Sequence, residues 1–308
     1  MRVKSLLVTA MLLGIWAIRS SAQVYSGNIV GYINLEVKPG LNLIVNQLEA
    51  ISDDLSSFLP NPPDGTVVFR YDPFTGSYQD GITFLDGVGW YATSSTKARN
   101  ISKRIPVGEG FFIYVPTLSA TTFTLVGEVL LASTNQLPGG YSLKGSVIPQ
   151  GDTLENLGFP STENDRVYRW DADGQTFYPP STFSRDNPGW FPQDPSVRVG
   201  EGFLLFRDPL FASPDNAWVR IFEVGAPAPL PSLTAATTLA PPSVRGLTLA
   251  NGKVTLDVQN AYAESYDVQF STDGIAWNTV ARNQTGVQWT SLLNPGPKGY
   301  FRLTTPSF

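Results

Sequence analysis

Val107-Gly108-Glu109-Gly110-Phe111 recurs as Val199-Gly200-Glu201-Gly202-Phe203, and each copy opens an apolar run, residues 111–115 and 203–206. A run this short, opened by glycines, predicts a strand buried on both faces. A chain that carries this phrase twice must place two such strands, and the flanking text repeats with them. Val68-Phe69-Arg70-Tyr71-Asp72 answers Val167-Tyr168-Arg169-Trp170-Asp171, and Gly89-Trp90-Tyr91 answers Gly189-Trp190-Phe191. Residues 39–44 answer 139–144, and the phrase at 29–33 has counterparts at 125–129 and 220–224.

A period near 100 residues is too long for a solenoid, whose units cannot bury a core alone. It predicts two tandem homologous β-sandwich or barrel-like repeats, 23–124 and 125–224, in an all-β chain. The spacing also predicts one short helix per repeat. The first is marked by Leu48, Ile51, Leu55 and Leu59, the second by residues 152–157 with Asp152 as N-cap. Twenty-eight Gly and 25 Pro suit the many tight turns of such a fold.

Residues 225–243 are rich in Pro, Ala, Ser and Thr and predict an extended linker. Residues 244–308 alternate again, at 254–258 and 266–271, with an Asp273-Gly274 turn before Trp277. This stretch predicts a third, small β module, short for an independent sandwich.

The first 22 residues form a separate text. Arg2 and Lys4 precede an apolar stretch at 6–17, and Ser20-Ser21-Ala22 supplies small residues before Gln23. That pattern predicts a secretory signal peptide rather than a membrane span, and a secreted or cell-surface destination. Three of the 21 basic residues (Arg2, Lys4, Arg19) lie there, so the rest holds 18 Lys and Arg against 26 Asp and Glu, net −8. An acidic surface repels phosphate backbones and argues against nucleic acid as a partner.

The chain has no Cys and no His, and both Met (Met1, Met11) fall in the leader. That removes thiol and imidazole catalysis and the usual soft metal ligands, and no cofactor is expected. Glu109 and Glu201, one per repeat, are the candidate catalytic carboxylates for a glycosidase-like hydrolase. Their plainer reading is a solvated carboxylate in a Gly-Glu-Gly turn. Asp171 and Asp173 begin a calcium-loop pattern whose later ligands are missing, and an Asx-type hairpin turn explains them equally. Trp90 and Trp190, with Tyr78, Tyr91, Tyr178 and Phe191, are candidate aromatic platforms for sugar rings, with core packing as the alternative.

These phrases resemble those of a group of exported two-repeat β-proteins from environmental Gram-negative bacteria, over roughly residues 23–224. The group carries no assigned catalytic residue or ligand, so the resemblance implies architecture and export, not chemistry. Residues 244–308 look like the fibronectin-III-like C-terminal modules of exported bacterial proteins, which implies a spacer or interaction role. The expected function is a non-catalytic binding or structural protein of the cell surface, with a polysaccharide or another surface protein as partner. The alternatives are the hydrolase and a self-assembling envelope component.

Overall fold

A computed structural model describes residues 28–50, 55–92, 104–186, 189–224, 242–259, 265–292 and 296–305. The expected signal peptide and most of the linker lie outside them. The first unit contains β1 (Val30–Val37), β2 (Gly40–Val45), α1 (Leu55–Phe58), β3 (Val67–Asp72), β4 (Ser77–Tyr78), β5 (Ile82–Leu85), β6 (Gly89–Ala92), β7 (Gly110–Val115) and β8 (Thr121–Glu128). The second contains β9 (Ala132–Asn135), β10 (Gly140–Lys144), β11 (Asp152–Thr153), β12 (Arg166–Asp171), β13 (Thr176–Phe177), β14 (Ser181–Ser184), β15 (Gly189–Phe191), β16 (Ser196–Val197), β17 (Phe203–Arg207) and β18 (Trp218–Ile221). The third contains β19 (Ser243–Ala250), β20 (Lys253–Gln259), β21 (Tyr266–Ser271), β22 (Asn278–Gln284), β23 (Gln288–Leu292) and β24 (Lys298–Thr304). The protein is all-β, built from antiparallel sheets.

Two sheets share one strand order. The first runs β2-β7-β3-β5-β6 with β4 hairpinned onto β3, and the second runs β10-β17-β12-β14-β15 with β13 hairpinned onto β12. The glutamate phrase leads into the second strand of each. Alternation along that strand gives it two buried faces. Phe111, Ile113 and Val115 enter the first core, while Phe203 and Leu205 enter the second. Phe112 and Leu204 point the other way, into a layer shared by both sheets with Leu43, Leu143, Trp170 and Phe177. Phe112 meets Trp170 edge-on at a centroid distance of 4.9 Å. The expectation of strands buried on both faces holds near the glycines and fades at Tyr114, which is 41% exposed.

The boundary expected between 124 and 125 falls inside β8. That strand pairs with β1 along its length, from Val30–Glu128 to Val37–Thr121, and the analogous pair in the second unit is β9 with β18. Nor does each unit keep a core to itself. Val147, Ile148, Phe222 and Tyr300 join the first core, which is otherwise built by strands, loops and the α1 helix of the first unit, from Ile29 to Val129.

The third module borrows strands. Its larger sheet runs β22-β21-β24-β1-β8, facing the three-stranded β19-β20-β23. β1 is therefore a shared wall: Val30 and Tyr32 pack with Leu256, Tyr266 and Phe301, while Ile33, Leu35 and Val37 pack into the first core. The shortness of residues 244–308 has its physical answer here, because two outside strands supply apolar area the module lacks.

In the first unit the expected helix is present at Leu55–Phe58, and its Ile51 lies outside the described residues. In the second, Asp152 and Thr153 pair with Ser196 and Val197 as a two-residue ladder, followed by a turn in which Leu157 N–H donates to Thr153 O. Asp152 accepts from Thr153 N–H and Asn156 Nδ2 as a local turn residue, not as a helix cap. Among the described residues no helix is long and apolar enough to cross a membrane.

Candidate functional site

Each glutamate turn is a clasp between the two units. Gly108 and Gly200 take φ of +82° and +78°, the left-handed region where a side chain is strained. Gly110 and Gly202 are needed for space. A Cβ on Gly110 would stand 3.0 Å from the Lys144 amide nitrogen, and one on Gly202 2.8 Å from the Ile44 carbonyl oxygen. Lys144 and Ile44 occupy matching places in β10 and β2, so each turn presses against the other unit's first sheet strand. Isolated bridges Glu109–Lys144 and Ile44–Glu201 join the same positions.

Both carboxylates are engaged. Glu109 accepts from Arg70 Nε at 2.7 Å and Nη2 at 3.0 Å. Glu201 accepts from Arg169 Nε at 2.8 Å, and its second oxygen from Arg198 N–H at 3.1 Å and Nε at 3.2 Å. Arg70 and Arg169 stand at the same place in β3 and β12, next to the glutamate strands. The sequence carried that signal, because the arginine recurs in both VFRYD-like phrases, yet nothing in its spacing marks it as the partner.

An open groove of about 680 Å3 lies between the β1–β2 edge of the first unit and the β12–β13 hairpin and 192–201 segment of the second. Glu201 lines it and Glu109 does not. Its walls alternate charge: Glu36, Asp171, Asp173 and Glu201 against Lys38, Arg169 and Arg198. Trp170 and Tyr178 supply aromatic surface, with Tyr178 48% exposed. The Arg198 side chain is 85% exposed on the rim. One end is fastened by Trp170 Nε1, which donates to Leu41 O at 2.9 Å, and by Gln175, which accepts from Leu41 N–H at 2.8 Å.

The aspartates of the calcium-loop pattern are already used. Asp171 accepts from Asp173 N–H at 3.0 Å, and the backbone N–H of Gly174, with that of Asp173, holds its carboxyl below the usual range. Asp173 pairs with Lys38 across the groove, which raises the Lys38 ammonium. Among the described residues no group of three or more Asp or Glu could hold a metal ion.

The aromatic candidates divide. Trp90 is 4% exposed in the first core, edge-on to Phe84, so it offers a sugar no face. Trp190 packs against Phe159 and Phe183 at the margin of the second core. Their neighbours face outward on the other side of the strand, Tyr91 at 36% and Phe191 at 72% exposure. Of the expected platform residues Tyr178 lines the groove, where Trp170, which the sequence did not mark as a platform, stands beside it.

Comparison with protein-family models, with curated proteins and with solved structures finds no match to this chain.

Proposed function

We propose that the protein is an exported, non-catalytic binding protein of the cell surface or extracellular space, and that it recognises a polysaccharide in the groove between its two similar units. The observation that carries this reading is the groove itself. Its volume lies in the range of small-ligand sites. Planar polar groups (Arg198, Gln193, Asp171) flank half-exposed Tyr178 and partly buried Trp170, the combination that takes hydroxyls at the edge of a ring and its CH face on an aromatic. The leader-like first 22 residues support export.

The hydrolase alternative draws no support from the glutamates. Paired carboxylates for glycoside cleavage must flank one bond, whereas each glutamate here is tied to an arginine of its own unit and only Glu201 reaches the groove.

The matching strand orders support an origin by tandem duplication. In immunoglobulin-like terms β19-β20-β23 takes the places A-B-E and β21-β24 the places C-F. β1 then stands where strand G would, which supports a fibronectin-III-like module completed by the first unit.

A glycan array on the purified chain, followed by calorimetry on hits, tests the binding reading. Tyr178→Ala and Arg198→Ala should each weaken binding about tenfold or more without moving the thermal midpoint, a loss of about 1.4 kcal/mol. A hit whose affinity neither substitution changes would place the site elsewhere, and an array without hits would remove the polysaccharide.

A further inference from the structure

Behind the Gly108-Glu109 turn the second unit sets a partly buried lysine against a buried asparagine. Lys144 Nζ donates to Asn135 Oδ1 at 3.1 Å, and Asn135 is 6% exposed. Asn135 Nδ2 is held in turn by Gly108 O at 2.9 Å and Gly145 O at 3.3 Å, so the carboxamide has one orientation. The matching places in the first unit hold Leu35 and Ile44, each meeting the Gly200-Glu201-Gly202 turn as Asn135 and Lys144 meet the first one. An apolar pair thus satisfies the packing, and a Lys–Asn pair in the same setting carries a desolvation cost that packing does not require.

We propose that Lys144 and Asn135 join in an intramolecular isopeptide bond, with Glu109 relaying the proton. The Lys144 amine attacks Cγ of Asn135. The Nζ–Cγ bond forms, the Cγ–Nδ2 bond breaks, and Nδ2 leaves as ammonia after receiving the proton shed by Nζ. The exchange of one amide for another needs no oxidant, reductant or cofactor.

Three features favour the step. Burial pushes the Lys144 amine down to about 8, opposed by the Glu109 charge, so a nucleophilic neutral fraction is present near neutral pH. A backbone bridge sets Glu109 beside Lys144 and its charge acts on the amine, while each oxygen it offers to Arg70 keeps a second lone pair for a proton in transit. The chain has no cysteine, so no disulfide fastens its strands. The bond would instead tie β9 to β10, the two strands that receive the turn.

The test is a tryptic map of the purified, denatured chain. Between Arg104 and Arg166 the only trypsin site is Lys144. The expected result is an uncut peptide, 105–166, lighter than its sequence mass by one ammonia, in essentially every molecule. Intact mass alone would not suffice, because cyclisation of Gln23 at a processed N-terminus also releases ammonia. Asn135→Ala should restore both cleavage and mass. Glu109→Gln should leave most of the chain uncrosslinked while circular dichroism shows the fold retained, and full crosslinking in that variant would overturn the relay. Efficient cleavage after Lys144 in the unaltered protein, with fragments of unmodified mass, would overturn the bond.

Discussion

The amide of Val45 donates to the carbonyl of Gly200 at 3.0 Å, fastening β2 of the first unit to the glutamate turn of the second. The reciprocal bond, Gly145 N–H to Gly108 O at 3.2 Å, fastens β10 to the turn of the first. Each unit therefore completes its partner's sheet edge, and the phrase that repeats most faithfully is the one at the contact.

This exchange makes Gly202 a sensitive position. A methyl group there meets the Ile44 carbonyl oxygen at 2.8 Å, and backbone cannot step aside as a side chain would. Gly202→Ala should destabilise the protein by about 1–3 kcal/mol, the usual cost of overpacking, and Gly110→Ala somewhat less because its nearest atoms stand at 3.0 Å. Urea unfolding measures both. Neutral substitutions at both sites would mean that the turns do not press on the opposite unit.

The arginine partners give a second test. Arg70→Ala leaves Glu109, with its side chain 20% exposed, without its two charged hydrogen bonds. A loss of about 1.5–3 kcal/mol follows if the pair acts as charged hydrogen bonds usually do. The Arg70→Ala/Glu109→Gln double variant should recover part of that loss. Simple additivity in the double-mutant cycle would show that the pair is not coupled.

Much of this was legible in the residues and some was not, for physical reasons. Glycine spacing, alternation and the repeated phrases mark the strands, because local backbone and side-chain period act within a few residues. What lies across space leaves no local mark. Nothing near Val30 or Tyr32 says that their side chains serve a sandwich more than 200 residues later, and nothing near Glu109 names Arg70. The helical spacing of Leu48, Leu55 and Leu59 is realised at Leu55–Phe58, where Leu59 N–H donates to Leu55 O, while Leu48 is buried outside the helix and reports the core rather than a helix face. Tyr178 was legible as a platform, but the groove beside it is formed by segments of two units and has no local mark in the sequence.

The dependence of the third module on β1 predicts that residues 242–308 alone will show no cooperative unfolding transition, since Val30, Tyr32 and Val126 complete their core. Within the whole chain Tyr32→Ala should cost about 3–5 kcal/mol, as other large aromatic truncations do. Tyr32→Phe should be neutral or stabilising, because the buried hydroxyl has no hydrogen-bond partner among the described residues. A cooperative melt of the isolated fragment would contradict the borrowed strand.

A buried ion pair in the second unit has an uncharged counterpart in the first, which allows its role to be weighed. Arg207 and Asp165 have fully buried side chains, joined Nε–Oδ1 at 3.1 Å and Nη2–Oδ2 at 2.7 Å. Pro160 O and Asn216 O take the other guanidinium donors, and Thr162 donates to both aspartate oxygens. Thr66 and Val115 stand at the matching places of the first unit. Phe84 N–H bonds Thr66 O as Phe183 N–H bonds Asp165 O, and Val115 pairs Gly40 as Arg207 pairs Gly140. The same fold therefore accepts both solutions. Removing one charge strands the other in the core, so Asp165→Thr or Arg207→Val alone should cost about 3–5 kcal/mol. The double substitution removes both desolvation penalties and leaves unpaired neutral groups, the carbonyls of Pro160 and Asn216 and the donors of Thr162, rather than a buried charge, so it should be more stable than either single variant. Guanidinium unfolding of the four proteins decides the matter: a double-variant loss equal to the sum of the singles would show that the pair contributes as two independent residues rather than as one unit.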